Sequence, residues 1–295
     1  MSRLLDPKIL MSIKDLQLAA KTAVDGFLSG INRSTIKGPG LEFSQYRSYQ
    51  PGDDLRWLDW KMYARSDRYY IRESEVETSI SLRLVVDASG SMNHEDEGVK
   101  KIEWARYLAA SLAYLAHKQG DAVGLYVCQD GNLFSLASRP EHQHMAHLYY
   151  QLEHMQAGGT FTQPIHYKNL FAAARRREIV IFISDLYERQ GEIQSFLDQL
   201  AVYKHEIIVF HLLARNEQEL DFRGYTALED LETGEVVKTD AGRIKKEYQE
   251  NLAQYLAALR MRLLDKAVFY RLISMDQPLD AALRDFLNQR TKLKT

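Results

Sequence analysis

The sequence predicts an α/β fold: a doubly wound, mostly parallel sheet with helices on both faces. Three observations carry this. The runs SLRLVVD (81–87), EIVIFIS (178–184) and EIIVFHLL (206–213) lack the alternation of a half-solvated strand and read as strands buried on both faces, and AVGLYVC (122–128) reads as a further strand. Segments of helical length and spacing separate them, which implies right-handed crossovers between parallel neighbours. Hydroxyl and carboxylate residues stand directly after the strands, where ligands collect in such sheets.

The elements follow in order. Residues 10–28 place Leu16, Leu18, Ala19, Ala23 and Phe27 at near-helical spacing, and Gly30 supplies a stop. Between Arg33 and Thr78 the period is lost. Gly38-Pro39-Gly40 and Pro51-Gly52-Asp53-Asp54 mark turns, and aromatics mix with charges, so this stretch predicts short strands and loops. Residues 1–79 thus read as an N-terminal helix with a β-rich appendage, and residues 80–295 as the main domain. Phe43, Tyr46, Tyr49, Trp57, Trp60 and Tyr63 are too apolar for a solvated tail, which predicts an ordered, docked appendage. Within it, Arg47, Arg56 and Arg65 are suited to pair with Asp53, Asp54 and Asp59.

After the strand at 81–87 the pattern predicts a helix over 100–118 and a strand over 122–128. A short strand at 132–136, a helix over 141–155, a Gly158-Gly159 turn and a short helix over 163–174 come next. The strand at 178–184, a helix over 189–201 and the strand at 206–213 continue the alternation. Tyr225–Leu231 and Glu235–Thr239, split by Glu232-Thr233-Gly234, predict a β-hairpin insertion near 225–239. A helix over 243–265, the strand AVFYRLIS and a last helix from Pro278 complete the chain.

Composition narrows the function classes. Among 295 residues, 38 Lys and Arg face 40 Asp and Glu, for a net charge of −2, without the basic excess of a nucleic-acid binder or a polybasic membrane-surface protein. Cys128 is the single cysteine, so no intrachain disulfide or Cys-rich zinc framework forms, and a reducing compartment fits. The opening MSRLLDPKILMSIKDLQLAA carries Asp6 and Asp15 and lacks the continuous apolar core of a signal peptide. The most apolar stretch, Ala105 to Ala116, contains Arg106 and falls short of the roughly 20 residues that span a bilayer. The expectation is a soluble cytoplasmic protein with neither a nucleic-acid partner nor membrane insertion.

Three strand-end loops bring oxygen donors toward one point: Asp87-Ala88-Ser89-Gly90-Ser91, Gly158-Gly159-Thr160 and Ser184-Asp185. Hard oxygen ligands with few charges suit Mg²⁺ or Mn²⁺. Only two carboxylates leave such a cation under-neutralised and open to an anionic ligand from outside. Asp-x-Ser-x-Ser alone is weak, since Asp and Ser are ordinary cap and turn residues; the joint occurrence after the right strands is the signal.

These motifs resemble the metal-ion-dependent adhesion site of von Willebrand factor A-type domains. Upstream, Gly40-Leu41-Glu42-Phe43, Tyr46-Arg47-Ser48-Tyr49, Pro51-Gly52-Asp53-Asp54-Leu55-Arg56, Asp59-Trp60 and Ala64-Arg65 resemble a bacterial family known as domain of unknown function fifty-eight, which couples such an appendage to an A-type domain. The resemblance implies a von Willebrand factor A-like fold and a partnership with a MoxR-type AAA+ ATPase, as adaptor or chaperone. It also implies that Ser89 and Ser91 ligate the metal directly, Asp87 and Asp185 act through bound waters, and Thr160 completes the shell. Thr162 is a second candidate hydroxyl.

Other chemistry is weaker. His142, His144, His147 and His154 crowd one helix, but without a His-Glu-x-x-His motif they read as a polar face. Arg175-Arg176-Arg177 reads as a cationic helix end, and Cys128 as inert core. A phosphate-binding loop, a dinucleotide fingerprint and a nucleophile elbow are all missing. An aspartyl-phosphate hydrolase wants a second carboxylate two residues after its Asp, and here that position is Ser89. The reading is therefore a non-enzymatic, metal-dependent protein-binding adaptor, with a phosphatase-like hydrolase as the alternative. Asp87 is expected to hold metal waters without filling the core, so that Asp87→Ala spares the fold.

Overall fold

The structure, a computed structural model, describes residues 7–33, 45–50, 58–73, 79–167, 170, 177–203, 205–220, 222 and 224–294. The chain divides into two compact units, one made of residues 1–30 and 79–295, the other of residues 31–78.

The N-terminal helices belong with the large unit, a correction to the grouping of residues 1–79. Helix α1 (Pro7–Met11) is followed by α2 (Leu16–Arg33). Leu16, Ala19, Ala20, Ala23, Val24 and Phe27 are all buried, one continuous stripe at i, i+3, i+4, i+7, i+8 and i+11. That stripe needs a core to cover it. Leu18, expected on the same face, is 52% exposed, and Ala20 and Val24 hold the places the pattern required.

In the small unit, β1 (Gln45–Ser48) pairs antiparallel with β2 (Tyr70–Glu73), and α3 (Trp60–Ser66) lies between them in sequence. The sequence reading expected only strands and loops there. Asp59 starts the helix as its N-cap, accepting the N–H groups of Lys61 at 2.9 Å and Met62 at 3.1 Å. The rings of Tyr63 and Tyr69 stack at 4.5 Å, and Tyr49 meets Tyr69 edge-on at 6.2 Å. The side chains of Phe43, Tyr46, Arg47, Asp53, Asp54, Arg56 and Trp57 lie outside the described residues.

The large unit is built on a six-stranded sheet. Its strands are β3 (Ser81–Asp87), β6 (Ala122–Gln129), β7 (Asn132–Arg139), β8 (Ile179–Ser184), β9 (Glu206–Leu213) and β12 (Phe269–Ser274), in the spatial order β12-β9-β8-β3-β6-β7. All neighbours are parallel except the hairpin partners β6 and β7. Two smaller ribbons stand off this sheet: β4 (Glu95–Asp96) with β5 (Val99–Lys100), and β10 (Tyr225–Glu229) with β11 (Val236–Asp240). The β10–β11 ribbon is the expected hairpin insertion.

The helices are α4 (Lys101–Lys118), α5 (His142–His154), α6 (Glu192–Val202), the short α7 (Arg215–Glu219), α8 (Ala241–Asp265) and α9 (Asp280–Lys294). Of the expected helix over 163–174, a 3₁₀ turn at Pro164–Tyr167 is present, while residues 168–169 and 171–176 lie outside the described residues. Alternate residues of each buried strand feed opposite faces of the sheet. Val85, Val180, Phe182 and Val209 form one core with Phe161, Tyr167, Phe196 and Leu263. On α4, Trp104, Leu108 and Leu112 are fully buried, and this helix contacts β3, β6, α5 and α9. α9 is tied down by Arg290, whose guanidinium donates to Asp121 Oδ1 at 2.8 Å and to the Gln119 carbonyl at 2.9 Å. This is the doubly wound, mostly parallel α/β sheet with helices that the sequence predicts. Among the described residues, no helix is long and apolar enough to cross a membrane.

β3 is the central strand, flanked by β6 on one side and β8 on the other. The chain runs from β3 through α4 to β6, then returns to β8 on the opposite side. Strand order therefore reverses beside β3, and the loops after β3 and β8 diverge to leave a crevice at their carboxyl ends.

Candidate metal centre

The crevice is assembled first by backbone. The Ala88 N–H donates to the Cys128 carbonyl at 2.9 Å, Gly158 N–H to the Ala88 carbonyl at 2.9 Å, and Gly90 N–H to the Gly159 carbonyl at 2.8 Å. The Gly158–Thr160 loop is thereby stitched to the loop after β3. Gly159 has φ +68°, and a Cβ there would lie 2.5 Å from Asp130 Cβ, so both conformation and space require glycine.

Side chains then link the loops after β3 and β8. Asp87 is fully buried; its Oδ1 accepts the Ser89 N–H at 2.9 Å and its Oδ2 accepts the Ser184 hydroxyl at 2.6 Å. Ser184 Oγ in turn accepts the Leu186 N–H at 2.8 Å, and Leu186 is held in the left-handed region at φ +53°. The Ser89 and Ser91 hydroxyls are 3.1 Å apart, and Ser91 Oγ donates to Asp185 Oδ1 at 3.0 Å. Asp185 Oδ2 accepts Lys101 Nζ at 2.9 Å, and the same ammonium donates to Glu217 Oε1 at 2.6 Å.

The charges respond to this packing. Burial, and then the neighbouring Asp185 charge, push Asp87 above the usual carboxylate range, against the bonds from Ser184 and Ser89. Burial also raises Asp185, but the charge and hydrogen bond of Lys101, with bonds from Tyr187 and Ser91, outweigh it and hold the carboxyl low. Burial alone would depress Lys101; Asp185 and Glu217 reverse that and hold it above its ordinary value. Glu232, in the turn of the β10–β11 hairpin, is pushed up to about 7, by burial and then by Asp87. Its Oε1 is buried with no hydrogen-bond partner. A cleft of about 600 Å³ opens beside the cluster, lined by Ser91, Lys101, Asp185, Tyr187, Glu217 and Asp230 among others.

Of the five residues the sequence proposes, Asp87, Ser89, Ser91 and Asp185 are joined by direct hydrogen bonds, with Ser184 as an added link. Thr160 is carried alongside by the backbone stitch and is half-buried, but its hydroxyl makes no hydrogen bond to those four. Thr162 is turned away and donates to the Tyr167 hydroxyl at 3.1 Å. The expectation that Asp87 stands outside the core is corrected: it is fully buried, and Asp87→Ala would strand the Ser89 N–H and the Ser184 hydroxyl at a cost to stability.

The donor set fits a hard divalent cation. Among the described residues no group of three or more His, Cys, Asp or Glu is gathered for a metal. A cation here would rest on the Ser89, Ser91 and Thr160 hydroxyls with Asp87 and Asp185, a set suited to Mg²⁺ or Mn²⁺ and poor for zinc.

Lys101, Glu217 and Glu232 carry no role in the site in the sequence reading, and Ser184 is quoted there only as the residue before Asp185. Lys101 left one signal: it is the first residue of α4, where the helix dipole disfavours a cation. Only carboxylate partners from elsewhere make a buried lysine tenable there. The α5 histidines do not assemble: His144 Nε2 meets the Val123 carbonyl at 2.7 Å, His154 Nδ1 the Tyr150 carbonyl at 2.8 Å, and His147 pairs with Gln151. Arg175 and Arg176 lie outside the described residues, and Arg177 pairs with Glu206. Cys128 is buried, and burial, with the Asp87 charge, pushes its thiol up.

Among curated proteins, the uncharacterized protein Rv1480 of Mycobacterium tuberculosis (strain ATCC 25618 / H37Rv) is 29% identical over 235 residues, covering 78% of this chain and 73% of the relative. Solved structures similar to the chain include the conserved hypothetical protein BatB from Bacteroides thetaiotaomicron, with TM-score 0.47 and 14% identity over 72% of this chain and 100% of that one. The SpRpn10 VWA domain matches with TM-score 0.41 and 11% identity over 72% of this chain and 95% of that domain. The model of the family described as "Protein of unknown function DUF58" matches residues 45–257, most of the sequence, and the chain belongs to that family.

Proposed function

We propose that the protein is a non-enzymatic, divalent-cation-dependent adaptor that captures an acidic side chain of a protein partner. The observation that carries this is the Ser89–Ser91–Asp185 string across the mouth of the β3/β8 crevice, with Asp87 fixed beneath it. Ser89, Ser91 and Thr160 would hold the ion through hydroxyls, and Asp87 and Asp185 would orient its waters. Bound Mg²⁺ or Mn²⁺ supplies a hard positive centre whose exchangeable position suits a carboxylate. The loops need only position that centre, and Ser89 stands where phosphoryl chemistry would ask for a second acid. By resemblance, the partner is a MoxR-type AAA+ ATPase in the cytoplasm, with this chain in a chaperone-like role.

The test is a titration of the labelled ATPase with the native chain in Mg²⁺ and in EDTA. Affinity lost in EDTA is expected; equal affinity in both would rule out cation-dependent capture. Phosphoester turnover in Mg²⁺ or Mn²⁺, abolished by Asp87→Asn, would instead establish the hydrolase. One observation favours a second reading: Lys101 already places a positive charge on Asp185. A cluster stabilised by that ammonium alone would show no Mg²⁺ binding by calorimetry.

A further inference from the structure

The turn of the β10–β11 hairpin is rigid and anchored on two sides. Asp230 Oδ1 accepts the N–H groups of Glu232 at 2.8 Å and Thr233 at 3.2 Å, and the Gly234 N–H donates to the Asp230 carbonyl at 2.7 Å. Toward β8, the Tyr187 hydroxyl donates to Asp230 Oδ2 at 2.9 Å. Toward β3, the Leu231 carbonyl packs so closely on Gly90 that a Cβ there would lie 2.6 Å from it. A turn fixed this way holds Glu232 over the loop that carries Ser89 and Ser91.

The carboxylate so placed is costly. Burial and the Asp87 and Asp185 charges work against it, the Ser89 hydroxyl eases this only in part, and its Oε1 is sealed from solvent with no hydrogen-bond partner. A divalent cation among the same oxygens turns that repulsion into shared attraction.

We propose that Glu232 is an internal acidic ligand of the cation site, occupying the position a partner's carboxylate takes, so that the hairpin must lift before a partner binds. The proposal rests on the cation reading above and deepens it, because the chain then carries its own competitor.

The test uses Mn²⁺ alone, on the full chain, with Glu232→Gln and, as control, Glu235→Gln at an exposed site on the same turn. Mn²⁺ affinity is measured by electron paramagnetic resonance, and the waters on bound Mn²⁺ by water-proton relaxation. Glu232→Gln is expected to weaken Mn²⁺ binding by at least about 10- to 100-fold, the range already seen on losing a group that only orients a metal's ligands. It should also add one exchanging water to the ion. Acetate should displace that water in Glu232→Gln and leave the native chain and Glu235→Gln unchanged. Tight Mn²⁺ binding with equal affinity, hydration and acetate response in all three chains would overturn the role of Glu232 alone. Absence of Mn²⁺ binding in all three, with thermal melts showing them folded, would overturn both this proposal and the cation reading.

Discussion

Lys101 and Asp185 form a buried ion pair at 2.9 Å that ties the first residue of α4 to the end of β8. Glu217, at 2.6 Å from the same ammonium, draws α7 into the pair. The Glu217 Oε2 accepts the Ala214 N–H at 2.8 Å, so one carboxylate both starts α7 and neutralises the lysine. Three elements far apart in sequence are therefore locked at one charge. Asp185 is ionised and oriented as a consequence, with its Oδ1 left for the Ser91 hydroxyl.

Removing the ammonium tests that lock. Lys101→Met keeps the aliphatic stem but leaves Asp185 and Glu217 without their cation. Losing one partner of a buried pair costs about 3–5 kcal/mol, and a loss of that order is expected in urea unfolding with EDTA present. Saturating Mg²⁺ should restore more stability to this variant than it adds to the native chain. An unchanged unfolding midpoint would show that the pair does not hold the loops.

Asp87→Asn tests the proposed cation site apart from folding. Asparagine at this position preserves shape: its Oδ1 accepts the Ser89 N–H, and its amide donates to the one lone pair of Ser184 Oγ that the Leu186 N–H leaves free, at the cost of the acceptor for the Ser184 hydroxyl hydrogen. It also relieves the burial of a charge beside Asp185. In EDTA, Asp87→Asn is expected to match the native chain within about 1 kcal/mol, while the gain in melting temperature on adding Mg²⁺ disappears. A Mg²⁺-dependent gain retained in full would remove Asp87 from the site.

The sheet was legible because its strands are apolar runs too short for helices and too continuous for a half-exposed sheet. Asp87, Ser89, Ser91 and Asp185 were legible because such residues directly after those strands have one place to go. Lys101 and Glu217 were hidden: they lie 116 positions apart, and nothing local to either marks the other. Glu232 was read as turn chemistry, which it also is, since its N–H completes the Asp230 turn. Its approach to the cluster depends on how the hairpin folds back, a tertiary fact with no periodic signature. Helix α3 was missed because its seven residues have no repeating apolar face, and the Asp59 cap was weighed as an ion-pair partner.

Gly90 offers a steric test of the hairpin's seat. A methyl group there would meet the Leu231 carbonyl oxygen at 2.6 Å and the Gly159 carbonyl oxygen at 2.9 Å, both backbone atoms. Gly90→Ala must therefore push the hairpin or the Gly158–Thr160 loop outward, at a cost of about 1–3 kcal/mol. Hydrogen exchange should show faster exchange of the Glu232 and Thr233 amides, with the β3 and β8 amides unchanged. Native protection at the hairpin tip in Gly90→Ala would mean that the Gly158–Thr160 loop, and not the hairpin, yields to the methyl group.

His211 sets a pH dependence. It is buried on β9 with Nδ1 at 2.8 Å from the Tyr270 hydroxyl, and burial, with the nearby Lys101 charge adding to it and Asp185 opposing, lowers its pKa to about 4. Between about 4 and the ordinary histidine value near 6.5, the unfolded chain binds a proton that the folded chain refuses. Stability from this group is therefore complete above about 6.5 and declines as pH falls toward 4, by up to about 3 kcal/mol. Asp87 and Glu232, both raised, act in the opposite sense, since the folded chain holds their protons more tightly than the unfolded chain does. The lowered Asp185 acts in the same sense as His211 but below the ordinary carboxylate pKa. The raw slope mixes these groups, so the measurement is a difference. Denaturant unfolding of the native chain and of His211→Gln, which keeps a partner for Tyr270, is compared from pH 7 to pH 4. The native chain should lose more stability across that interval than the variant, with the gap opening below about 6.5. Parallel curves would mean that His211 takes up its proton in the fold as readily as in the unfolded chain.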